Sequence, residues 1–316
     1  MSLSSSVNPP QTDDGIVEFL HSLLLKAASS HHRGHPENHP IVVINSLKNI
    51  LGDVRDNPSR ILMDFGKNYF NEKSLRKNDE NILRKIKLKG VTSSVFIMDL
   101  EDAILRSDSK QAEKEAAKLL ILADSPQAIL ESMVNLSLLD FGRIGIFSYH
   151  LLRAFAFGKV TKEESWTFIQ CLLKQMKSVN FAHHQQDITI NIEKYFENTL
   201  KSKSRIFMNQ FNSAYRLYHS NYVRTENFQK SICHWIASKE WNPTSQKKKV
   251  SHPEELISFR NSGNDFFVIK AEQVIKRFED NYLIGRKLVF IDTLRMMCRD
   301  APVQLLGYIK RRLDTI

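Results

Sequence analysis

Phe141, Ile144, Phe147, Leu151, Leu152 and Phe155 recur at steps of three and four and stop at Gly158. That period places all of them on one face of an α-helix, so the segment buries itself as an amphipathic helix. Directly after it, Thr161-Lys162-Glu163-Glu164 forms a capping box, in which the Thr161 hydroxyl and the Glu164 carboxylate each satisfy a backbone N–H left unpaired at a helix start. Trp166, Ile169, Leu173 and Met176 then continue the same period. With about two residues between Gly158 and Thr161, the two helices are expected to be antiparallel neighbours.

The same grammar recurs along the chain. Ile16, Phe19, Leu20, Leu23 and Leu24 follow an Asp13 or Asp14 cap, and Ser125-Pro126 combines a cap with a proline in the first turn. Asn57-Pro58-Ser59 opens another helix, with Pro58 expected at its first position. Ile188, Ile192, Tyr195, Phe196 and Leu200 read as one helix; Ile206, Phe207, Phe211, Tyr215, Tyr218 and Tyr222 read as the next. Glycine agrees with this pattern: 11 in 316 residues is about half its ordinary ~7% share, whereas β folds spend glycine on turns and bulges. The expectation is an all-α protein, an irregular bundle of roughly 13 to 16 helices without a regular repeat. The apolar runs at 41–44, 95–98 and 266–269 are where a strand could replace a helix.

Length gives a soft prior of about two domains. Residues 1–12 are polar with Pro9-Pro10 and read as a disordered lead-in. The main helical domain is expected over 13–241, a basic loop or linker over 242–252, and C-terminal helices packed on the main domain over 253–316. Three cysteines, Cys171, Cys233 and Cys298, are too few and too widely spaced for a disulfide framework or a zinc module, which points to a reducing compartment. The N-terminus does not read as a secretory signal, and no apolar run is long enough to cross a membrane. A cytoplasmic location is expected; export to a host cell without a cleaved leader is compatible with the sequence.

Four groups of residues could carry chemistry. Val95-Phe96-Ile97-Met98-Asp99-Leu100-Glu101-Asp102-Ala103, followed by Lys110, Glu113 and Lys114, resembles the Asp-Leu-Glu-Asp segment of the citrate lyase β-subunit family. The resemblance implies carboxylates that hold a magnesium ion in a TIM barrel, and clustered oxygen ligands suit a hard cation. A barrel needs eight strand and helix alternations over ~250 residues, and this chain does not show them. The residues themselves read as a helix whose Asp99, Glu101 and Asp102 face solvent above Val95, Met98 and Leu105. Next, His31, His32, His35 and His39 lie in a loop interrupted by Gly34 and Pro36; they are weak metal-ligand candidates, because their spacing matches no zinc module. Cys233 and His234 are adjacent in a helix, which points them about 100° apart and prevents a mutual pair; Cys233 reads as a buried thiol, and a pairing with a distant His150 or His252 is the catalytic alternative.

The fourth group is charge. The chain carries 45 Lys+Arg against 35 Asp+Glu, a net +10. Ten of those cations fall between residues 201 and 250 against only Glu226 and Glu240, so this segment supplies +8 of the total. Lys201, Lys203, Arg205, Lys247, Lys248 and Lys249 are its anion-binding candidates, for nucleic acid or an anionic membrane surface. Phe207, Phe211, Tyr215, Tyr218 and Tyr222 interleave with them, yet their steps of four, four, three and four mark a core stripe rather than a stacking platform. No phosphate loop, nucleophile elbow or zinc-protease signature occurs, and no cofactor is indicated. The leading expectation is a helical protein-interaction scaffold or adaptor whose partner is another protein, of the kind bacteria deliver into host cells. An anionic partner held through 201–250 and an enzyme of an unrecognised class are the alternatives.

Overall fold

A computed structural model describes residues 13–92, 94–177, 179–181, 187–240 and 253–316. The expected segments 1–12 and 242–252, with Lys247, Lys248, Lys249 and His252, lie outside these residues. In chain order the helices are α1 (Asp13–Ser29), α2 (Pro40–Leu51), α3 (Arg60–Asn68), α4 (Asn81–Lys89), α5 (Ile97–Leu105), α6 (Ser109–Leu122), α7 (Pro126–Ser137), α8 (Phe141–Phe155) and α9 (Lys162–Met176). They continue with α10 (Phe196–Lys201), α11 (Arg205–Tyr218), α12 (Thr225–Ala237), α13 (Glu254–Ser262), α14 (Phe266–Arg277), α15 (Asn281–Asp300) and α16 (Leu306–Leu313). The protein is all-α: the described residues contain no strand, only an isolated bridge between Ser30 and Leu75.

The hydrophobic helix α2 lies at the centre, against α1, α8 and α15. Its apolar start, Ile41 to Ile44, is helical despite its β-branched residues, because Pro40 occupies the first turn and the His39 ring caps the Ile41 N–H at 3.1 Å. The run 266–269 is likewise helical, as the start of α14. A second layer forms where α11 packs on α8 and α15, and α9 closes the opposite side against α1, α6 and α7. One apolar cluster runs from Ile16 to Leu313, and residues 253–316 contribute Phe259, Phe267, Leu288, Ile291 and Leu294 to it. At Gly66, α3 comes so close to α1 and α2 that an added Cβ would lie 2.7 Å from Leu47 Cδ2 and 2.9 Å from Leu23 Cδ1. Only glycine fits that crossing without displacing a neighbour.

Four local expectations change. Pro58 precedes the helix, and Ser59 is the cap, its Oγ accepting from the Leu62 N–H. Residues 187–191 are not helical; Asn191 caps a short 3-10 turn that leads into α10. Helix α11 ends at Tyr218, which leaves Tyr222 in the following loop. In α5 the buried residues are Leu100, Ala103 and Ile104, whereas Met98 is exposed, because two residues of helix, about 200°, set it opposite Leu100.

The capping box of α9 forms as read from the sequence: the Thr161 N–H donates to Glu164 Oε2 at 2.8 Å and the Glu164 N–H to Thr161 Oγ1 at 3.2 Å. Trp166 is fully buried behind it and donates its indole N–H to the Asp79 carbonyl at 2.6 Å. Replacing Thr161 by Ala removes one half of the box and is expected to cost about 1 kcal/mol, read as a fall of ~2–4 °C in melting temperature. A melting curve superimposable on that of the parent protein would show that the cap contributes nothing.

Candidate anion-binding surface

The basic segment does not fold into one patch. Arg216 pairs with Asp300 at 2.9 Å, Arg224 with Glu101 at 3.4 Å and Lys230 with Asp187 at 3.2 Å, each on a different part of the surface. Lys201, Lys203 and Arg205 do come together, at the junction between α10 and α11. There they meet residues that the sequence analysis did not single out: Tyr308, Arg311 and Arg312 of α16, with Thr315 just beyond. Together these residues line a hollow of about 370 Å³. The signal for the second half was present in sequence as the run Lys310-Arg311-Arg312, but nothing local says that it folds back onto residue 201.

Backbone chemistry explains the junction. Helix α10 ends with carbonyls that have no intrahelical partner, and the Arg312 guanidinium donates to those of Ser202 at 2.5 Å and Lys201 at 3.4 Å. Arg205 donates in the same way to the Thr315 carbonyl at 3.0 Å and lies over the Phe290 ring. Lys201 pairs with Glu197 at 2.5 Å. Lys203 and Arg311 have no carboxylate partner among the described residues, and Arg311 rests on the Tyr308 ring. The start of α11, capped by Ser204 Oγ at the Phe207 N–H, adds the positive end of a helix dipole. Burial lowers the Arg312 pKa first, and repulsion from Arg311 and Arg205 lowers it further. These cations are crowded more closely than their carboxylate partners compensate.

The histidine candidates perform local structural tasks. His32 Nε2 lies 2.9 Å from the His35 carbonyl, and the His32 and His39 rings meet edge to face with centroids 5.1 Å apart. His39 accepts the Ile41 N–H on Nδ1, so its Nε2 carries the proton and points at Cys171 Sγ, 3.6 Å away. The described residues contain no group of three side chains placed to hold a metal ion. In the acidic segment, Asp99 caps the Phe96 N–H while Glu101 accepts from Ser132 and faces Arg224. Cys233 is buried, with its thiol pKa raised by desolvation. His150 is committed to Asn45, which donates to Nδ1 at 2.8 Å. Cys171 is buried as well, its pKa pushed up to about 12 by desolvation, so it stays a thiol.

Family models, curated proteins and solved structures, each compared with this chain, give no match.

The two buried imidazoles couple folding to pH. Burial holds His39 well below the ordinary value near 6.5 and brings His150 down to about 3, with Lys48 and Arg153 adding repulsion at His150. Well above pH 6.5 both rings are neutral whether the chain is folded or not. As pH falls through that value the unfolded chain protonates both rings while the native core refuses the protons, and His32, whose pKa burial also lowers, adds to the difference, so stability decreases toward acid. The expected slope approaches roughly 2.7 kcal/mol per pH unit, for two protons, in urea unfolding measured between about pH 6 and pH 5. His150→Gln should halve it, and a profile flat over that range would show that these rings accept protons in the native state.

Proposed function

We propose that the protein is a peripheral binding protein for phosphate-rich anionic membrane surfaces, held through the hollow at the junction of α10, α11 and α16. The observation that carries this reading is the meeting of Lys201, Lys203, Arg205, Arg311 and Arg312 around one concavity, where Glu197 pairs with Lys201 and, among the described residues, Lys203 and Arg311 have no carboxylate partner. A concave cluster of this kind accepts one phosphate group at a time, as a lipid headgroup presents it; a nucleic-acid strand calls for a continuous groove. Beside the hollow, Ile206, Tyr282 and Leu283 are 40%, 52% and 37% exposed, around a second depression that also includes Arg205 and Arg286. Exposed aliphatic and aromatic side chains within a basic rim are what a headgroup boundary accommodates. None of the described helices is long and apolar enough to span a bilayer, so attachment would be from the surface. The basic concavity favours this reading over a protein partner.

Co-sedimentation with phosphatidylcholine vesicles, with and without ~30 mol% phosphatidylserine, tests it. Binding is expected only to the anionic vesicles and should weaken steeply as salt rises from ~50 to ~300 mM. Reversing two charges in Lys203→Glu/Arg311→Glu should weaken it at least ~tenfold, at ~1 kcal/mol per basic residue lost. Binding indifferent to lipid charge would overturn the proposal. Tighter binding to a single-stranded oligonucleotide than to vesicles, lost in the same variant, would replace the membrane by nucleic acid.

A further inference from the structure

The C-terminal ends of α2, α8 and α11 converge with the distal half of α15 around a cleft of about 780 Å³. Each of the four helices carries a cation in its last turn: Lys48, Arg153, Arg216 and Arg299. Arg295 and Arg55 bring the cations lining the cleft to six, and no Asp or Glu lines it. Three carboxylates stand behind this wall. Asp53 takes the Arg295 guanidinium in a two-point fork, both contacts at 2.5 Å, and Arg299 at 2.7 Å; Asp292 lies 3.4 Å from Arg295, and Asp300 takes Arg216. Lys48, Arg55 and Arg153 are left without a carboxylate partner among the described residues.

Lys48 is the telling residue. It is 7% exposed, yet its ammonium makes no hydrogen bond or close ion pair among the described residues; the Phe157 ring lies 4.7 Å away, and Asp292 acts on it only from a distance. Arg216 has the same deficit in part, because its buried Nε has no acceptor. Helix dipoles account for one cation at each C-terminus, at ~0.3–1 kcal/mol each. They do not account for a nearly buried ammonium placed among five guanidinium groups. Such an arrangement is costly when empty and becomes favourable when a multivalent anion supplies the missing acceptors. Burial first, then Arg153 and Arg295, pull the Lys48 pKa down to about 8 against the opposing charge of Asp292.

We infer that this cleft is a binding site for a small molecule bearing at least two phosphate groups, with Lys48 at its floor and Arg55 and Arg153 on its walls. The volume suits a ligand the size of a nucleoside polyphosphate or a cyclitol polyphosphate. Tyr149 is buried with its pKa pushed up to about 12, chiefly by desolvation, so it stays protonated as a neutral donor. Tyr222 is held in the wall by Arg153. The site is separate from the hollow at residues 201–205 and does not depend on the membrane reading.

Calorimetric titration of the full chain with pyrophosphate, at ~150 mM salt, is the test. Saturable one-to-one binding is expected. Lys48→Met should weaken it at least ~tenfold, the usual loss when a charge-assisted hydrogen bond is removed. The same substitution should raise the melting temperature of the ligand-free protein, since it removes an uncompensated buried charge, and should abolish the rise that pyrophosphate causes in the parent. Arg153→Gln, at an exposed position, should weaken binding comparably and guards against misfolding of the first variant. Titration with ATP and with inositol hexakisphosphate then distinguishes the source: whichever binds more tightly than pyrophosphate identifies the group that fills the cleft. The inference is overturned if pyrophosphate does not bind, if both variants bind as the parent does, or if Lys203→Glu/Arg311→Glu abolishes binding while Lys48→Met leaves it intact.

Discussion

Helix α2 has no face turned to solvent. Every residue from Pro40 to Leu51 except Asn49 is buried, so the polar residues within it must find partners inside the protein. Asn45 finds His150 on α8, and Asn49 finds Asp292 on α15 at 2.8 Å. These two contacts fix the rotation of α8 and α15 about the central helix, because a turn of either by one residue would strand a buried amide. Two carboxylates, Asp292 from α15 and Asp53 from the turn after α2, in turn hold Arg295. The core is therefore specified by polar pairs as well as by volume. Losing one member of such a buried pair costs far more than the intact pair contributes, about 3–5 kcal/mol when an unpaired charge is left behind.

Asn45 Oδ1 and Ser46 Oγ are buried on this helix without an acceptor or donor opposite them, and Lys48 is the one charged group on it and makes no hydrogen bond among the described residues. It sits one turn from Ile44 and Leu51 on the same encased helix, and its side chain lines the cleft. A fold optimised for stability alone would place Met or Leu there. Burial and the neighbouring cations Arg153 and Arg295 disfavour an ammonium at this point, and Asp292 offsets them only in part. Asp53 limits the cost by neutralising the two guanidinium groups of α15 from behind, which leaves the charge of the wall concentrated at α2 and α8. Local arrangements that lower stability without serving the packing are found where a protein binds something.

Much of the architecture was legible because caps and periodicity are local. The Thr161 to Glu164 box, the Ser125-Pro126 start and the stripe from Phe141 to Phe155 each encode a helix within a few residues. Errors arose where an apolar spacing continued past a break that tertiary contacts enforce: Ile188 shares a period with Ile192 and Phe196, yet Asn191 caps a new turn between them. Tyr222 kept the step of its stripe, but α11 ends one turn earlier and the ring turns to the cleft wall. The sites were less legible. Periodicity reports that a face is buried and not against what, so neither the return of Arg311 and Arg312 to Lys201 nor the meeting of four helix ends could be read from spacing. The segment charge of +8 was real, but as a sequence sum it merged paired cations such as Arg216 and Arg224 with unpaired ones such as Lys203.

Helix α11 joins the two cationic regions, with Arg205 at its start and Arg216 near its end. Eleven residues of helix separate them by roughly 16 Å. In water two unit charges at that distance interact by only about 0.3 kcal/mol, before screening with a Debye length of ~8 Å reduces the value further. An anion in the hollow therefore exerts little electrostatic influence on one in the cleft. The helix dipole separates the two regions more sharply than distance does. At its N-terminus α11 adds positive potential, and the cations there attract a phosphate with the backbone's help. At its C-terminus, and at those of α2, α8 and α15, exposed carbonyls oppose an anion, so the side chains in the cleft must overcome that field before they can hold a ligand. A cleft that binds anions against four helix C-termini needs several cations where the hollow needs few. Six line the cleft, and of the two that are buried, Arg295 is held by Asp53 while Lys48 has no ion-paired carboxylate among the described residues.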